Sequence, residues 1–238
     1  ANDSVEESLM YRANNNQAFK QVLKNDFETT VIPMGFVKNS ITNIYALSNA
    51  GRDKLSLVEY DAVNGKEVKE LYSHPQVDLD RGGYSPFSNE MMFTSYTISK
   101  KKRHFFNKDL EKVFQTISQK INGSEFNIVD RDSSLSKIII QTYTDKDPGA
   151  VYYFDRSDNE LHKLVDNNPK LKNHELSPTE SVQYQTRDGR FITAYITYPL
   201  GADRKNLPIV VLPHDGPGNR EIWGFDVETQ FLANRGYA

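Results

Sequence analysis

The stretches SLMYRANNNQAFKQVL (8–23), SLVEYDAVNGKEVKEL (56–71), RHFFNKDLEKVFQTI (103–117) and VYYFDRSDNELHKLV (151–165) decide the fold. Each reads as an aromatic-rich strand, a polar turn and a second strand ending in Leu, Ile or Val. The anchoring aromatics Tyr11, Tyr60, Phe106 and Phe154 are spaced 49, 46 and 48 residues apart. Working outward, another strand precedes each of the last three anchors: NIYALSN (43–49), MMFTSY (91–96) and KIIIQTY (137–143). Further upstream lie VIPMGFV (31–37), a weaker segment near 76–79, and EFNIV (125–129). Four short strands repeated at this period fit the blades of a β-propeller.

The turns agree. Asn64-Gly65 is a strong hairpin signal and Asp158-Asn159 a second one. Asp61, Asn107 and Asp155 follow the last three anchors, where a short polar side chain can bond the turn backbone. Helix is the competing reading of 5–23, because Ser4-x-x-Glu7 matches a capping box. Asn14-Asn15-Asn16 in mid-segment and the fourfold alignment favour a hairpin. Residues 108–121 do have helical spacing, with Leu110, Val113, Ile117 and Ile121 on one side. A helix here would replace the outer strand of its blade. Three blades and part of a fourth are expected, and a propeller closes with four to eight. The pattern therefore predicts a piece of a larger propeller.

Composition narrows the function. Across 238 residues, 29 Lys+Arg face 32 Asp+Glu, for a net charge of −3. So balanced a chain is not built to grip nucleic acid through phosphates or to hold an anionic membrane. The absence of cysteine excludes disulfides, thiolate metal sites and a cysteine nucleophile. The longest wholly apolar run is Ala150 to Phe154, so neither a transmembrane helix nor a signal peptide is expected. The compartment, cytoplasm or periplasm, is left open. Thirteen Tyr and 13 Phe against one Trp suit a turn-rich β protein.

After Pro178 the repeat stops. SVQYQT (181–186), the turn Arg187-Asp188-Gly189-Arg190 and FITAYITYPL (191–200) read as a hairpin with alternating faces. The run Leu207-Pro208-Ile209-Val210-Val211-Leu212-Pro213 reads as a buried strand ending in His214-Asp215-Gly216-Pro217. VETQFLANRGYA (227–238) reads as a helix, with Val227, Phe231 and Leu232 on one face and Gly236 as its C-terminal cap.

TRDGRFITAYITYPLG, LPIVVLPHDGP, WGFD and QFLANRGYA together resemble the start of the catalytic domain of prolyl-oligopeptidase-family serine peptidases, in the acylaminoacyl- and dipeptidyl-peptidase-like branch. SNAGRDKLSLVEYD (48–61) and DKDPGAVYYFD (145–155) carry the likeness into the blades. The resemblance implies a mainly β chain. Residues 1–176 would be the C-terminal blades of a propeller, and 177–238 the first strands and first helix of an α/β-hydrolase domain. It further implies a parent enzyme that cleaves short peptides by a Ser-His-Asp acyl-enzyme route, without a cofactor, with the propeller screening access. The family's G-x-S-x-G nucleophile turn does not occur here, so no catalytic residue is expected in this chain, which alone should be inactive. Unpaired blade or strand edges should remain exposed or be buried by another copy of the chain. A non-catalytic propeller module with a decayed hydrolase and an esterase on the same fold are the alternatives.

What the resemblance does place here is an oxyanion segment. The family motif His-Gly-Gly-Pro appears as His214-Asp215-Gly216-Pro217, with Gly216 at the second glycine. Its N–H would stabilise the negative oxygen of acyl transfer, with His214 and Pro217 shaping the turn. Asp215 departs from the motif, and a carboxylate aimed inward would oppose the developing charge. Without the resemblance, a structural turn is an equal reading. Other candidates are weaker. Gly83-Tyr84-Ser85-Pro86-Phe87 lacks the closing glycine of a nucleophile turn, and Asp78 to Gly82 lacks the third acid and terminal Glu of a calcium loop. Both read as blade turns. Lys100 to Arg103 reads as a charged hairpin tip. No pair among the five histidines has metal-ligand spacing. Glu6-Glu7 lacks the surroundings of the acidic pair that holds a substrate amino terminus in dipeptidyl peptidases.

Overall fold

The computed structural model describes residues 7–26, 28–216 and 219–238. It divides into two compact units, 1–108 and 109–238, which are described separately.

The first unit is three antiparallel sheets in chain order. Strands β1 (Glu7–Tyr11) and β2 (Lys20–Asn25) form the expected hairpin across the Asn-rich turn. Strands β3 (Val31–Phe36), β4 (Asn43–Ser48), β5 (Ser56–Asp61) and β6 (Lys66–Tyr72) form a four-stranded meander. Strands β7 (Leu79–Ser85), β8 (Glu90–Thr97) and β9 (Lys101–Phe105) form a three-stranded one.

Strand alternation explains how these sheets stack. Ile44 pairs Tyr60 and Ala46 pairs Val58, so these four side chains share one face of the β3–β6 sheet. That face packs on Leu9, with Tyr11, Val22 and Leu23 of the first hairpin alongside. Leu47 pairs Leu57 on the opposite face and packs on Leu79 and Met91 of the next sheet. A sheet buried on both faces is a blade within a stack, and three sheets in series satisfy that requirement. The buried Asn25 extends the first contact: its amide accepts from Val31 N–H at 2.9 Å and donates to Val31 O at 3.1 Å, imitating a ladder pair between adjacent sheets.

The turn chemistry follows the sequence. Asp61 accepts from the N–H groups of Val63 and Asn64, and Gly65 takes φ +64°. Three details differ from expectation. The strand placed near 76–79 runs from Leu79 to Ser85, so Asp80 lies in a ladder rather than a turn. Its carboxylate accepts from Thr97 Oγ1 at 3.2 Å. Lys101 to Arg103 belong to β9, leaving only Lys100 in the hairpin tip. Phe106 lies beyond β9 and is 36% exposed, whereas Tyr60 and Phe154 are 2% and 1% exposed. Its unit has no fourth strand to bury it.

In the sequence, a helix follows β9 where a fourth strand would come. In the second unit, α1 (Lys108–Lys120) buries Leu110, Val113, Phe114 and Ile117, close to the stripe read from spacing. Asp109 in its first turn pairs bidentately with Arg156, and Phe114 packs on Phe126 with ring centroids 4.8 Å apart. Phe126 lies in a four-stranded meander of β10 (Glu125–Arg131), β11 (Lys137–Tyr143), β12 (Ala150–Asp155) and β13 (Glu160–Asp166). Ile138, Ile140 and Phe154 are its core. The expected hairpin follows as β14 (Thr179–Gln185) paired with β15 (Phe191–Thr197). Helix α2 (Val227–Asn234) closes the described chain, capped by Asp226, whose carboxylate accepts from Thr229 N–H at 2.7 Å.

Asp155 marks the β12–β13 turn. It accepts from Ser157 N–H, Ser157 Oγ and Tyr153 Oη, and these bonds hold its carboxyl down at about 2, from 3.8. A depressed carboxyl contributes stability that is present above the unfolded-state pKa and lost as the pH falls through the folded one. The stability gap between wild type and Asp155→Ala should therefore be constant above about pH 5 and should shrink between about pH 4 and 2. Urea titrations at stepped pH check this, and a gap independent of pH would contradict it.

Candidate functional site

The segment expected to carry the oxyanion donor lies between β15 and α2. Its apolar run was read as a buried strand, but the structure leaves Ile209 at 66% and Val211 at 80% exposure. Among the described residues it forms no ladder except at one point. Val210 N–H donates to Ala238 O and Ala238 N–H donates to Pro208 O, both at 2.9 Å. Two bonds that flank Ile209 and converge on Ala238 are the signature of a parallel pair. The chain between them passes through α2, but neither side extends into a strand among the described residues. The apolar side chains are exposed because no strand lies beside this segment among the described residues.

His214, Asp215 and Gly216 follow and are exposed. His214 Nδ1 lies 2.9 Å from Asp215 O. Gly216 has φ +120°, a backbone conformation that a side chain strongly disfavours, which accounts for glycine at this position. Pro217 lies outside the described residues, as do Ser4 of the capping-box reading and Glu6. The structure thus brings no titratable partner to His214 or Asp215 among the contacts described. Ser85 of the Gly83–Phe87 string ends β7, is 5% exposed and accepts from Ser88 N–H at 3.4 Å, which is a turn contact. No group of His, Asp and Glu among the described residues is arranged to hold a metal ion. No helix among them is long and apolar enough to cross a membrane.

Sequence reading missed the best-defined polar cluster of this unit. Val227 and Phe231, the expected buried face of α2, are 69% and 57% exposed, whereas Gln230 and Ala233 are 5% and 3% exposed. The Gln230 amide accepts from Ser177 N–H at 3.0 Å and donates to Ser177 O at 2.7 Å and Asp145 O at 3.0 Å. Nearby, Thr179 N–H donates to Asp145 Oδ2 at 2.7 Å, and Trp223 Nε1–H donates to Thr179 O at 3.2 Å. Ser177 and Thr179 thus have all four backbone polar groups engaged by side chains. These come from the β11–β12 loop, the segment before α2, and α2 itself. Only the family-like WGFD string hinted at this cluster, through Trp223.

Comparison with known proteins bears on what this arrangement serves. The chain is 28% identical over 221 residues to dipeptidyl aminopeptidase BIII of Pseudoxanthomonas mexicana, covering 88% of this chain and 31% of that protein. The likeness is to a dipeptidyl peptidase. It is also 22% identical over 264 residues to dipeptidyl peptidase family member 6 of Caenorhabditis elegans, covering 98% of this chain and 35% of that one. The solved structure of a puromycin hydrolase superposes with a TM-score of 0.61 at 14% identity, covering 98% of this chain and 36% of that one. At that identity the superposition speaks for the fold alone. No protein-family profile matches the chain. The chain spans about a third of the length of these dipeptidyl-peptidase relatives. The likeness to prolyl-oligopeptidase-type peptidases read from the sequence is borne out, as is the mainly β fold.

Proposed function

We propose that this chain is part of a serine peptidase of the prolyl-oligopeptidase type that hydrolyses short peptides through a Ser-His-Asp acyl-enzyme. In this reading, 1–176 are propeller blades and 177–238 begin the hydrolase domain. The observation that carries it is the order of architectures along one chain. Antiparallel meanders repeat at a near-constant period, and a hairpin, a segment bonded in parallel fashion to Ala238, and helix α2 follow, with His214-Asp215-Gly216 just after that segment. The relatives, named as dipeptidyl peptidases, supply the reaction class.

Gly216 N–H is the oxyanion donor in this proposal. It follows the apolar 207–213 run; were that run a parallel strand in the longer protein, Gly216 would stand at the sheet edge where α/β folds hold ligands. The nucleophile, its base and the orienting acid would come from sequence outside this chain, since no such set forms among its described residues. Asp215 is exposed, as a carboxylate next to a developing oxyanion should be.

The test has two arms. The longer protein should release a chromophore from dipeptide anilides and lose that activity when a fluorophosphonate labels it. The 238-residue chain should take up no fluorophosphonate. Labelling of this chain at Ser85 or any other residue, or a longer protein that turns over simple esters but no peptide, would overturn the assignment.

A further inference from the structure

We infer that Gln230 is a positioning residue, the tie through which the β10–β13 sheet sets where the loop carrying Gly216 stands. The inference rests on the peptidase reading for the meaning of Gly216, but the tie itself is read from geometry alone.

A glutamine is seldom buried, because its amide carries one acceptor and two donors that must all find partners. Gln230 is 5% exposed, and all three functions are used. Two of them face Ser177, whose N–H and C=O meet the amide as a second strand would. The third reaches Asp145 O, in the loop between β11 and β12. Asp145 in turn holds Thr179 N–H through its carboxylate. Helix α2, the start of β14 and the sheet loop are therefore joined at one buried point.

The residues that flank Gly216 in sequence are anchored to this helix on both sides. The far anchor is Asp226, which caps α2. The near anchor is the 208–210 segment, bonded to Ala238 just past the helix C-terminus. A shift of α2 relative to the sheet would therefore move both anchors of the sequence that carries Gly216. Ala233, the other fully buried residue of α2, makes only apolar contact and cannot fix register as three directed bonds do.

Two variants test this. Gln230→Met keeps length and packing but removes the amide. Gln230→Glu keeps an acceptor for Ser177 N–H, and regains a donor only when protonated. In the 238-residue chain, Gln230→Met should speed hydrogen exchange at the Ser177 amide by about tenfold or more, with the amides of β11 and β12 unchanged. Gln230→Glu should show the same loss at neutral pH, because an ionised carboxylate facing Ser177 O and Asp145 O repels the two carbonyls that the amide bonded and is driven out of reach of Ser177 N–H. Its Ser177 protection factor should return as the pH falls through the pKa of the introduced carboxyl, because the neutral acid can both accept and donate. A residue that merely fills space would show no such return. If Gln230→Met does not fold, the pH return in Gln230→Glu decides alone.

In the longer protein, Gln230→Met should lower kcat on a dipeptide anilide about tenfold with KM nearly unchanged, since substrate still binds while the oxyanion donor is displaced. Unchanged Ser177 exchange in both variants overturns the tie. Freed exchange with wild-type kcat overturns the positioning role. A wild-type protein inactive on every peptide sinks the peptidase reading instead, and the exchange result then decides the tie by itself.

Discussion

An ester in place of the peptide bond between Asp215 and Gly216 should lower kcat of the longer enzyme by about a hundred- to a thousandfold, with KM little moved. The ester exchanges the Gly216 N–H for an oxygen and leaves the residue without a side chain. The loss arises only where charge develops on the substrate oxygen, so ground-state binding is spared. The φ of +120° at Gly216 determines the choice of probe. Gly216→Pro also deletes the donor, but it forces φ to about −65° and would remodel the loop. Gly216→Ala keeps the donor and strains the backbone by an estimated 1–3 kcal/mol. Steady-state kinetics of the ester variant separate the donor from the conformation. An ester enzyme with wild-type kcat would remove Gly216 from the mechanism.

The largest stability effect is expected at Gly149. Its φ is +79°, and a Cβ built there would stand 1.7 Å from Thr142 O. Thr142 O is backbone in β11 and cannot turn aside. Gly149→Ala therefore combines left-handed strain with a backbone collision, for a loss of about 2–5 kcal/mol. Gly51 is the control: its φ is +71°, but nothing lies within 4 Å of its Cβ position. Gly51→Ala should cost only the strain, about 1–2 kcal/mol. Denaturant midpoints of the two variants measure the difference, and equal losses would show that the collision is relieved by loop movement. The loop beginning at Thr144 and ending at Gly149 also holds Asp145, so Gly149→Ala should weaken the contact with Thr179 as well.

The blades were legible in the sequence because their information is local. Each strand pairs with the next one along the chain, and alternation alone tells that Ile44 and Tyr60 face one way while Leu47 and Leu57 face the other. The misplacement of Phe106 has the same root. The aromatic was aligned with the anchors of four-stranded blades although the helical spacing of 108–121 already argued against an outer strand there, and without that strand it has less to cover it. Residues 209–212 misled for a different reason. An apolar run reports what a segment requires, and the partners that would bury it are not among the described residues. Gln230 was illegible on principle. A glutamine on a helix reads as solvent-facing unless one knows that Ser177 and Asp145 lie beneath it. For the oxyanion candidate, the sequence marked the residues, and the structure added the positive φ that makes Gly216 necessary.

The tie at Gln230 also orders events in time. A four-stranded sheet such as β10–β13 closes through hairpins between neighbours and is complete once Asp166 is available. Gln230 meets Asp145 across 85 residues, a closure whose entropy is met only after the intervening chain exists. On a ribosome, each blade can therefore close soon after it emerges. Ser177 and Thr179 must meanwhile wait, with their backbone groups bonded to water, until Trp223 and α2 arrive. Contacts of this span form late, and where one sits in the folding nucleus its removal slows folding more than it speeds unfolding. If the tie instead forms after the rate-limiting step, its removal will leave the folding rate untouched and shorten only the lifetime of the assembled unit.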